Sequence, residues 1–173
     1  MAPKIEAIGA TLGAVITNIN LENVTQTDWQ LIDEAFDDYA LLVFPDQFLS
    51  EDAQVDFSEH FGEIEMLRGA GGGKAVPMSN QKADGTVLKV DDEDDKHRFM
   101  TLRGNEGWHM DSTYMPLAAK AGVLSAKVVP SSGGETEFAD MRAAYDELAS
   151  SLVKKISTLS AFHSLYQSQA KNG

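Results

Sequence analysis

The order of apolar and polar residues predicts a strand followed by a helix near the start of the chain. Residues 12–19 have the pattern of a strand interrupted by Gly13. Thr27 and Gln30 have the spacing of a capping box, which predicts that a helix begins there. The predicted apolar face of this helix comprises Leu31, Ile32, Ala35, Phe36 and Tyr39.

A short buried strand and a second helix are predicted next. Residues 41–44 are all apolar, and Pro45 ends the run because it cannot donate to a strand ladder. Ser50 is a suitable N-cap, and the acids that follow it favour a helix N-terminus. The predicted apolar face of this second helix comprises Ala53, Phe57 and Phe61.

The middle of the chain has the composition of a long solvent-facing segment. Residues 69–95 begin with a glycine-rich stretch and end with the acidic run 91–95. A strand is predicted around residues 76–80 and a turn at residues 83–85. The acidic run lacks the alternating ligands and central glycine of a calcium loop, so it is interpreted as a solvated loop. Segments of this length inside a domain are often lids or binding loops, which makes this one a candidate lid.

The last third of the chain predicts strands followed by helices. Residues 107–115, 121–129 and 136–138 have the composition of strands. Asp140 is then a predicted N-cap for a helix, and a shorter helix follows. The apolar positions of the two helices comprise Met141, Ala144, Tyr145, Leu148, Leu152, Val153, Ile156 and Leu159.

Charge and composition exclude several classes of function. The chain has 14 Lys and Arg against 27 Asp and Glu, a net charge of −13, so it is expected to bind neither nucleic acid nor an anionic membrane. It contains no Cys, which excludes disulfides, thiolate metal sites and thiol nucleophiles. No window approaches the roughly 20 apolar residues of a membrane helix, and residues 1–9 lack the pattern of a secretory signal. We therefore predict a cytoplasmic location.

His109 and Asp111 are the residues that most directly suggest chemistry. In a strand, the period of two places both side chains on one face, so that an imidazole nitrogen and a carboxylate oxygen converge. An imidazole and a carboxylate placed in this way match two-thirds of the 2-His-1-carboxylate facial triad that binds Fe(II). A hydrogen-bonded pair, or a core strand flanked by Trp108, explains the same pattern. A zinc hydrolase is disfavoured because no third histidine site or general-base Glu stands beside the pair.

Longer stretches around this pair carry a resemblance to a known family. Asn105, residues 108–113 and residues 128–145, together with residues 42–45 upstream, resemble the taurine dioxygenase and dichlorophenoxyacetate dioxygenase (TauD/TfdA-like) family of Fe(II)/2-oxoglutarate-dependent dioxygenases. The likeness covers nearly the whole chain and is loosest between residues 64 and 100. It implies an α+β fold, a double-stranded β-helix (jelly roll) with flanking helices.

The resemblance also implies the site and the reaction. His109 and Asp111 would ligate Fe(II), Thr136 would donate its hydroxyl proton to a carboxylate of the cosubstrate 2-oxoglutarate, and Asn105 would reach toward the substrate or cosubstrate. The implied enzyme uses O2 to hydroxylate a small organic acid, aryloxyalkanoate-like or sulfonate-like, and releases succinate and CO2. The sequence does not fix the oligomeric state, although homo-oligomers are common in the family.

The chain departs from the family pattern at its C-terminal end. The family's third ligand is a histidine far downstream of the first, followed by the arginine that binds 2-oxoglutarate, and neither has a counterpart before Gly173. His163 is the only histidine after Asp111, and it matches a histidine that is not a ligand in the family. The resemblance therefore implies that residues 1–173 are the N-terminal part of a single dioxygenase domain, with the C-terminal strands absent. The alternative is a catalytically silent fragment that acts only by association.

Overall fold

The computed structural model describes residues 1–66 and 73–169, so most of the predicted glycine-rich stretch lies outside the described residues. The chain divides into two compact units. The first unit comprises Met1–Glu63 and Val123–Leu159, and the second comprises Ile64–Gly122 and Ser160–Gly173. The coarse prediction of a mixed helix-and-sheet fold is confirmed, since the described elements are helices and a small sheet.

The first unit contains a three-stranded sheet. Its strands are β1 (Lys4–Ala7), β2 (Ala14–Thr17) and β3 (Leu42–Val43), in the order β1-β2-β3. β1 pairs with β2 antiparallel, and β2 pairs with β3 in parallel. The predicted strand at residues 12–19 is confirmed as β2, whose Ala14 and Ile16 are fully buried. β1 was not predicted, because its four residues are all exposed and lack a buried apolar face.

Helix α1 (Gln26–Tyr39) connects β2 to β3 after a 3-10 turn at Leu21–Asn23. The predicted capping residues are wrong by two positions, because Thr25 has the extended backbone of an N-cap while Thr27 is already helical. The Thr25 hydroxyl accepts from the Asp28 N–H at 3.2 Å, and the Asp28 carboxylate accepts from the Thr25 N–H at 3.1 Å. This reciprocal pair is a capping box. The hydrogen bond from the Thr25 hydroxyl holds the pKa of Asp28 below its ordinary value.

Helix α2 (Glu51–Glu59) begins where the sequence predicts, and its Ser50 hydroxyl accepts from the Ala53 N–H at 3.1 Å. Its Phe57 joins Leu21, Ile32 and Leu49 in the buried cluster of this unit. Phe61, just beyond the helix, makes edge-on ring contacts with three aromatic residues, Trp29, Phe36 and Phe57. These contacts pack α1 against α2, as their predicted apolar faces require.

The strands predicted in the second half of the chain are wrong. No strand is assigned in residues 107–115, 121–129 or 136–138. The strand predicted earlier in the chain, at residues 76–80, is also absent. The predicted strand at residues 41–44 exists, but it is two residues long and its Val43 is exposed rather than buried. A strand requires a hydrogen-bonded partner, and the described residues provide no ladder for these segments.

Residues 123–126 have the side-chain alternation of a strand but no backbone pairing. Their side chains alternate between half-buried and exposed, as in a strand that covers a core on one face. Val123 packs against the buried cluster, and its carbonyl accepts from the Gln54 Nε2 at 3.0 Å. The Lys127 ammonium donates to the Leu49 carbonyl. Side chains therefore dock this segment on the first unit without a backbone ladder.

The second unit contains a helix that the sequence did not predict. Helix α3 (Glu93–Gly104) begins after Asp92, whose carboxylate accepts from the Asp94 N–H at 3.0 Å. The interpretation of residues 91–95 as a solvated loop is therefore wrong. Asp92 caps the helix, and Glu93, Asp94 and Asp95 form its first turn, where the helix dipole favours negative charge. The predicted turn at residues 83–85 is confirmed beside an isolated bridge between Gln81 and Val87.

One acid of this run, Asp95, is buried, with 4% of its surface exposed. The Lys82 ammonium donates to both of its carboxylate oxygens at 2.9 Å, and the Lys89 N–H donates to Oδ2 at 3.0 Å. The Lys82 hydrogen bonds, followed by that from Lys89, hold the pKa of Asp95 below its ordinary value, and Asp95 raises the pKa of Lys82. The pair anchors α3 to the segment that precedes it.

Three short helices complete the described chain: α4 (Met141–Asp146), α5 (Ser150–Ile156) and α6 (Leu165–Gln169). The predicted cap is confirmed, since the Asp140 carboxylate accepts from the N–H groups of Arg142 and Ala143. The Ala143 hydrogen bond is the main cause of the lowered pKa of Asp140. The Arg142 guanidinium donates to the carbonyls of Asp37 and Asp38 at the end of α1, where the helix dipole favours a cation.

Within the described residues, every helix is too short or too polar to cross a bilayer. The cytoplasmic location therefore stays a prediction.

We expect Gly13→Ala to destabilise the first unit by about 1–2 kcal/mol. Gly13 has φ +98°, and an added Cβ would clash with Ile8 Cδ1, so the Ile8 side chain would have to move. Urea unfolding of both variants measures the loss, with Gly122→Ala as the control because nothing lies within 4 Å of a Cβ there. An equal change in both variants would contradict the requirement for a left-handed residue at Gly13.

We expect Asp95→Asn to destabilise the second unit, because it removes the buried carboxylate that is paired with the partly exposed Lys82 ammonium. Since the folded-state pKa is lowered, the carboxylate stabilises the protein above its ordinary value of 3.8 and loses that effect as the pH falls through the folded value. Urea unfolding across this acid range should show a weaker pH dependence in Asp95→Asn than in the native chain. Asp94→Asn, at an exposed position of the same turn, is the control, and identical profiles for the two variants would refute the role of the pair.

Candidate metal centre

His109 and Asp111 lie side by side in the second unit, five and seven residues after the end of α3. The Nε2 atom of His109 is 3.3 Å from the Oδ1 atom of Asp111. Both side chains are accessible, with 47% and 85% of their surface exposed. The predicted strand is absent here, but the predicted convergence of the two side chains is observed. A tight turn at residues 111–114, rather than a strand, follows the pair.

A backbone carbonyl determines which imidazole nitrogen of His109 carries a proton. The Nδ1 atom lies 2.7 Å from the carbonyl oxygen of Gly107. Because a carbonyl oxygen only accepts, Nδ1 must be protonated and donate to it. In the neutral ring the proton is then absent from Nε2, whose lone pair faces Asp111. Metal-binding histidines are commonly oriented by a hydrogen bond of this kind.

The two facing atoms fit a cation between them. Nε2 of neutral His109 and Oδ1 of ionised Asp111 are both acceptors, so their approach to 3.3 Å favours either a proton or a metal ion. Two donors about 2.1 Å from one metal ion and at right angles lie about 3 Å apart. The observed separation is close to that value. The donor types, one imidazole and one carboxylate, match two-thirds of the facial triad that binds Fe(II).

The described residues supply only this pair. In residues 1–66 and 73–169, no group of three or more His, Asp or Glu side chains is arranged to hold a metal ion. His163, the remaining downstream histidine, is exposed and belongs to no such group. Within the described residues, the pair therefore supplies two of the three side chains that a facial triad requires.

Ser112 and Glu65 are neighbours of the pair that the sequence did not single out. Ser112 follows Asp111 directly, is 6% exposed, and has φ +57°. Its hydroxyl donates to the Oε2 atom of Glu65, 47 positions earlier in the chain. Its carbonyl accepts from the Met115 N–H at 3.0 Å and closes the turn. Local sequence pattern gives no signal for a contact across that separation.

Asn105 lies in the same unit as the pair, at the C-terminal end of α3. It is exposed, and its backbone N–H donates to the Leu102 carbonyl at 3.1 Å. The position is that of a helix cap rather than of a residue before a strand. Its predicted role toward the substrate or cosubstrate stays a prediction.

Thr136 belongs to the first unit and lies in the irregular segment before α4. Its side chain is exposed. The two preceding glycines, Gly133 and Gly134, have φ +76° and +74°, a backbone conformation that residues with a Cβ rarely adopt. The glycine pair therefore forms the turn that precedes Thr136. The cosubstrate contact of Thr136 stays a prediction.

Comparison with known proteins gives a family match along almost the whole chain. The profile of the family described as "Taurine catabolism dioxygenase TauD, TfdA family" matches residues 4–172. The chain is 46% identical over 169 residues to the "(S)-phenoxypropionate/alpha-ketoglutarate-dioxygenase" of Sphingobium herbicidovorans, covering 98% of this chain and 56% of the relative. It is 36% identical over 164 residues to the "Alpha-ketoglutarate-dependent 2,4-dichlorophenoxyacetate dioxygenase" of Cupriavidus pinatubonensis, covering 87% of this chain and 54% of the relative.

A solved structure gives the same result. The crystal structure of AAD-2 in complex with Mn(II) and N-oxalylglycine superposes with a TM-score of 0.84 at 33% identity, covering 100% of this chain and 59% of that chain. The chain thus spans a little over half the length of the relatives it matches. With a family profile matched from residue 4 to residue 172 and this similarity in sequence and structure, the chain belongs to the TauD/TfdA family.

Proposed function

We propose that the protein is an Fe(II)- and 2-oxoglutarate-dependent dioxygenase of a small organic acid, of the aryloxyalkanoate or sulfonate type, that releases succinate and CO2. The observation that carries the proposal is the approach of His109 Nε2 to Asp111 Oδ1 at 3.3 Å in a chain of this family. The relatives named for phenoxypropionate and dichlorophenoxyacetate support the substrate class.

His109 and Asp111 would hold the iron through Nε2 and Oδ1. When bound together with 2-oxoglutarate, Fe(II) supplies the activation of O2 for oxidation of a substrate C–H bond. The Gly107 carbonyl keeps the proton on Nδ1 of His109, so that Nε2 is free to ligate. Asp111 brings a negative charge that offsets part of the charge of the metal ion. The high exposure of both side chains leaves room for further ligands on the open side.

Thr136 and Asn105 are proposed to contact the small molecules. The Thr136 hydroxyl would donate to a carboxylate of 2-oxoglutarate, a charge-assisted hydrogen bond. Its exposed position after the Gly133–Gly134 turn leaves the hydroxyl accessible to a ligand. Asn105 would offer its amide to the substrate or the cosubstrate from the end of α3.

The complete domain is proposed to be a jelly roll to which residues 1–173 contribute the N-terminal part. The third metal ligand, a histidine, and the arginine that binds 2-oxoglutarate would come from further C-terminal strands. Support comes from the apolar side chains left exposed after Gly122, among them Leu124, Val128 and Val129. Sequencing the native transcript past the codon for Gly173 tests this, since an in-frame histidine followed by an arginine would complete the site and an immediate stop would contradict it.

The same exposed side chains favour a second candidate, a catalytically silent fragment that acts by association. Large exposed apolar patches commonly mark association surfaces. Metal binding separates the two candidates, because a fragment that acts only by association has no need of a working His109–Asp111 pair.

We expect His109→Ala and Asp111→Ala each to weaken Mn(II) binding by more than about tenfold, because each removes a ligand. Isothermal titration of the native chain and both variants measures the affinity. His97→Ala is the matched control, since His97 is an exposed histidine on α3. Equal Mn(II) affinity in all four proteins would refute the metal centre and favour the silent fragment.

We expect Thr136→Val to weaken binding of 2-oxoglutarate by about 10- to 100-fold, the range for loss of a hydrogen bond to a charged group. Valine keeps the shape of threonine and removes only the hydroxyl. Equilibrium binding of 2-oxoglutarate to the Mn(II)-loaded whole protein gives the affinity. Thr17→Val, on β2, is the control for the same substitution. An unchanged affinity in Thr136→Val would remove Thr136 from the proposed cosubstrate site.

A further inference from the structure

We propose that the hydrogen bond from Ser112 to Glu65 is a positioning contact that holds Asp111 in place against His109. Neither residue reaches the metal in this proposal, because each acts through the backbone that carries Asp111. The inference deepens the proposed metal centre and rests on it only for the metal-binding readout. The effect of the contact on the turn at residues 111–114 is measurable by amide hydrogen exchange without a metal.

Burial distinguishes Ser112 from its neighbours. Trp108 and Met110 are mostly exposed, and so is Asp111 itself, whereas Ser112 is 6% exposed. The segment therefore enters the body of the second unit at Ser112. A buried hydroxyl requires a hydrogen-bond partner, and the Glu65 carboxylate is that partner. Because Asp111 directly precedes Ser112, fixing the Ser112 backbone also fixes the position of the Asp111 Cα and Cβ atoms.

The backbone of Ser112 gives a second, independent reason. Its φ of +57° is left-handed, a conformation that non-glycine residues adopt at a cost. This residue reverses the chain just after Asp111, and the Met115 N–H closes the turn on the Ser112 carbonyl. A strained conformation persists only where surrounding contacts hold it. The hydroxyl contact with Glu65 is such a contact, and it ties the turn to a segment 47 positions away.

Without this contact the turn at residues 111–114 would sample other conformations. His109 has its own support from the Gly107 carbonyl, only two residues away. Asp111 is 85% exposed at its side chain, so packing does not hold it. The separation of Nε2 and Oδ1 therefore depends on the backbone at Ser112. Loosening that backbone costs metal affinity because ligands must be ordered on binding.

The test uses the full chain and variants that separate the hydroxyl from the backbone. Ser112→Ala removes the hydroxyl and keeps the strained φ, whereas Ser112→Gly removes the hydroxyl and relieves the strain. Glu65→Ala removes the acceptor, and Glu65→Gln keeps an acceptor oxygen. Ser58→Ala is the matched control, since the Ser58 hydroxyl donates to the Gln54 carbonyl in the first unit.

Two readouts are measured. Amide hydrogen exchange of residues 107–115 without metal should become about tenfold faster in Ser112→Ala and Glu65→Ala and remain near native in Glu65→Gln and Ser58→Ala. Mn(II) affinity should fall by about tenfold in the same two variants, within the range for a residue that orients a ligand. Ser112→Gly should share both losses, which assigns them to the hydroxyl. The double variant Ser112→Ala/Glu65→Ala should be no worse than either single variant.

Native exchange in Ser112→Ala, or additive losses in the double variant, would overturn the proposal. If Ser112→Ala does not fold, Glu65→Ala compared with Glu65→Gln decides the question from the other side of the contact. Failure of the native chain to bind Mn(II) would count against the proposed function alone. The exchange data would still decide whether Ser112 and Glu65 position the turn.

Discussion

The approach of His109 Nε2 to Asp111 Oδ1 at 3.3 Å is the constraint on which the candidate site depends. Both atoms are acceptors when His109 carries its proton on Nδ1, and the Gly107 carbonyl keeps it there. Such an arrangement is stable when positive charge lies between the two atoms. The short link from His109 to Asp111 and the turn after it bring the two atoms together. The accessible side of the pair leaves room for further ligands.

Local helix caps and one apolar cluster stabilise the fold of the first unit. Thr25 and Ser50 begin α1 and α2, and the residues those helices bury, above all Ile32 and Phe57, meet in the same cluster. Phe61 then joins the two helices through three ring contacts. The caps fix where each helix begins, and burial of apolar surface fixes how the helices meet. The Arg142 guanidinium then connects α4 to the end of α1 by donating to the Asp37 and Asp38 carbonyls.

Prediction from sequence worked where the determining contacts are local. Ser50 and Asp140 were identified as caps because a cap needs only a side chain and an N–H a few residues on. The approach of His109 to Asp111 was also predicted, although from a strand that does not exist. The acidic run was misinterpreted because Asp95 is stabilised by Lys82, 13 positions away, and burial of a carboxylate depends on such a partner.

The sequence by itself determined the family, the positions of most of the helices, and the residue types offered to a metal ion, since these depend on order and composition along the chain. Tertiary structure decided the burial of Asp95 and the contact between Ser112 and Glu65. It also left residues 121–129 without strand pairing in the described part of the chain. Each of these depends on groups far apart in the chain, whose meeting requires folding. A strand in particular is a property of two segments, whereas a helix is a property of one.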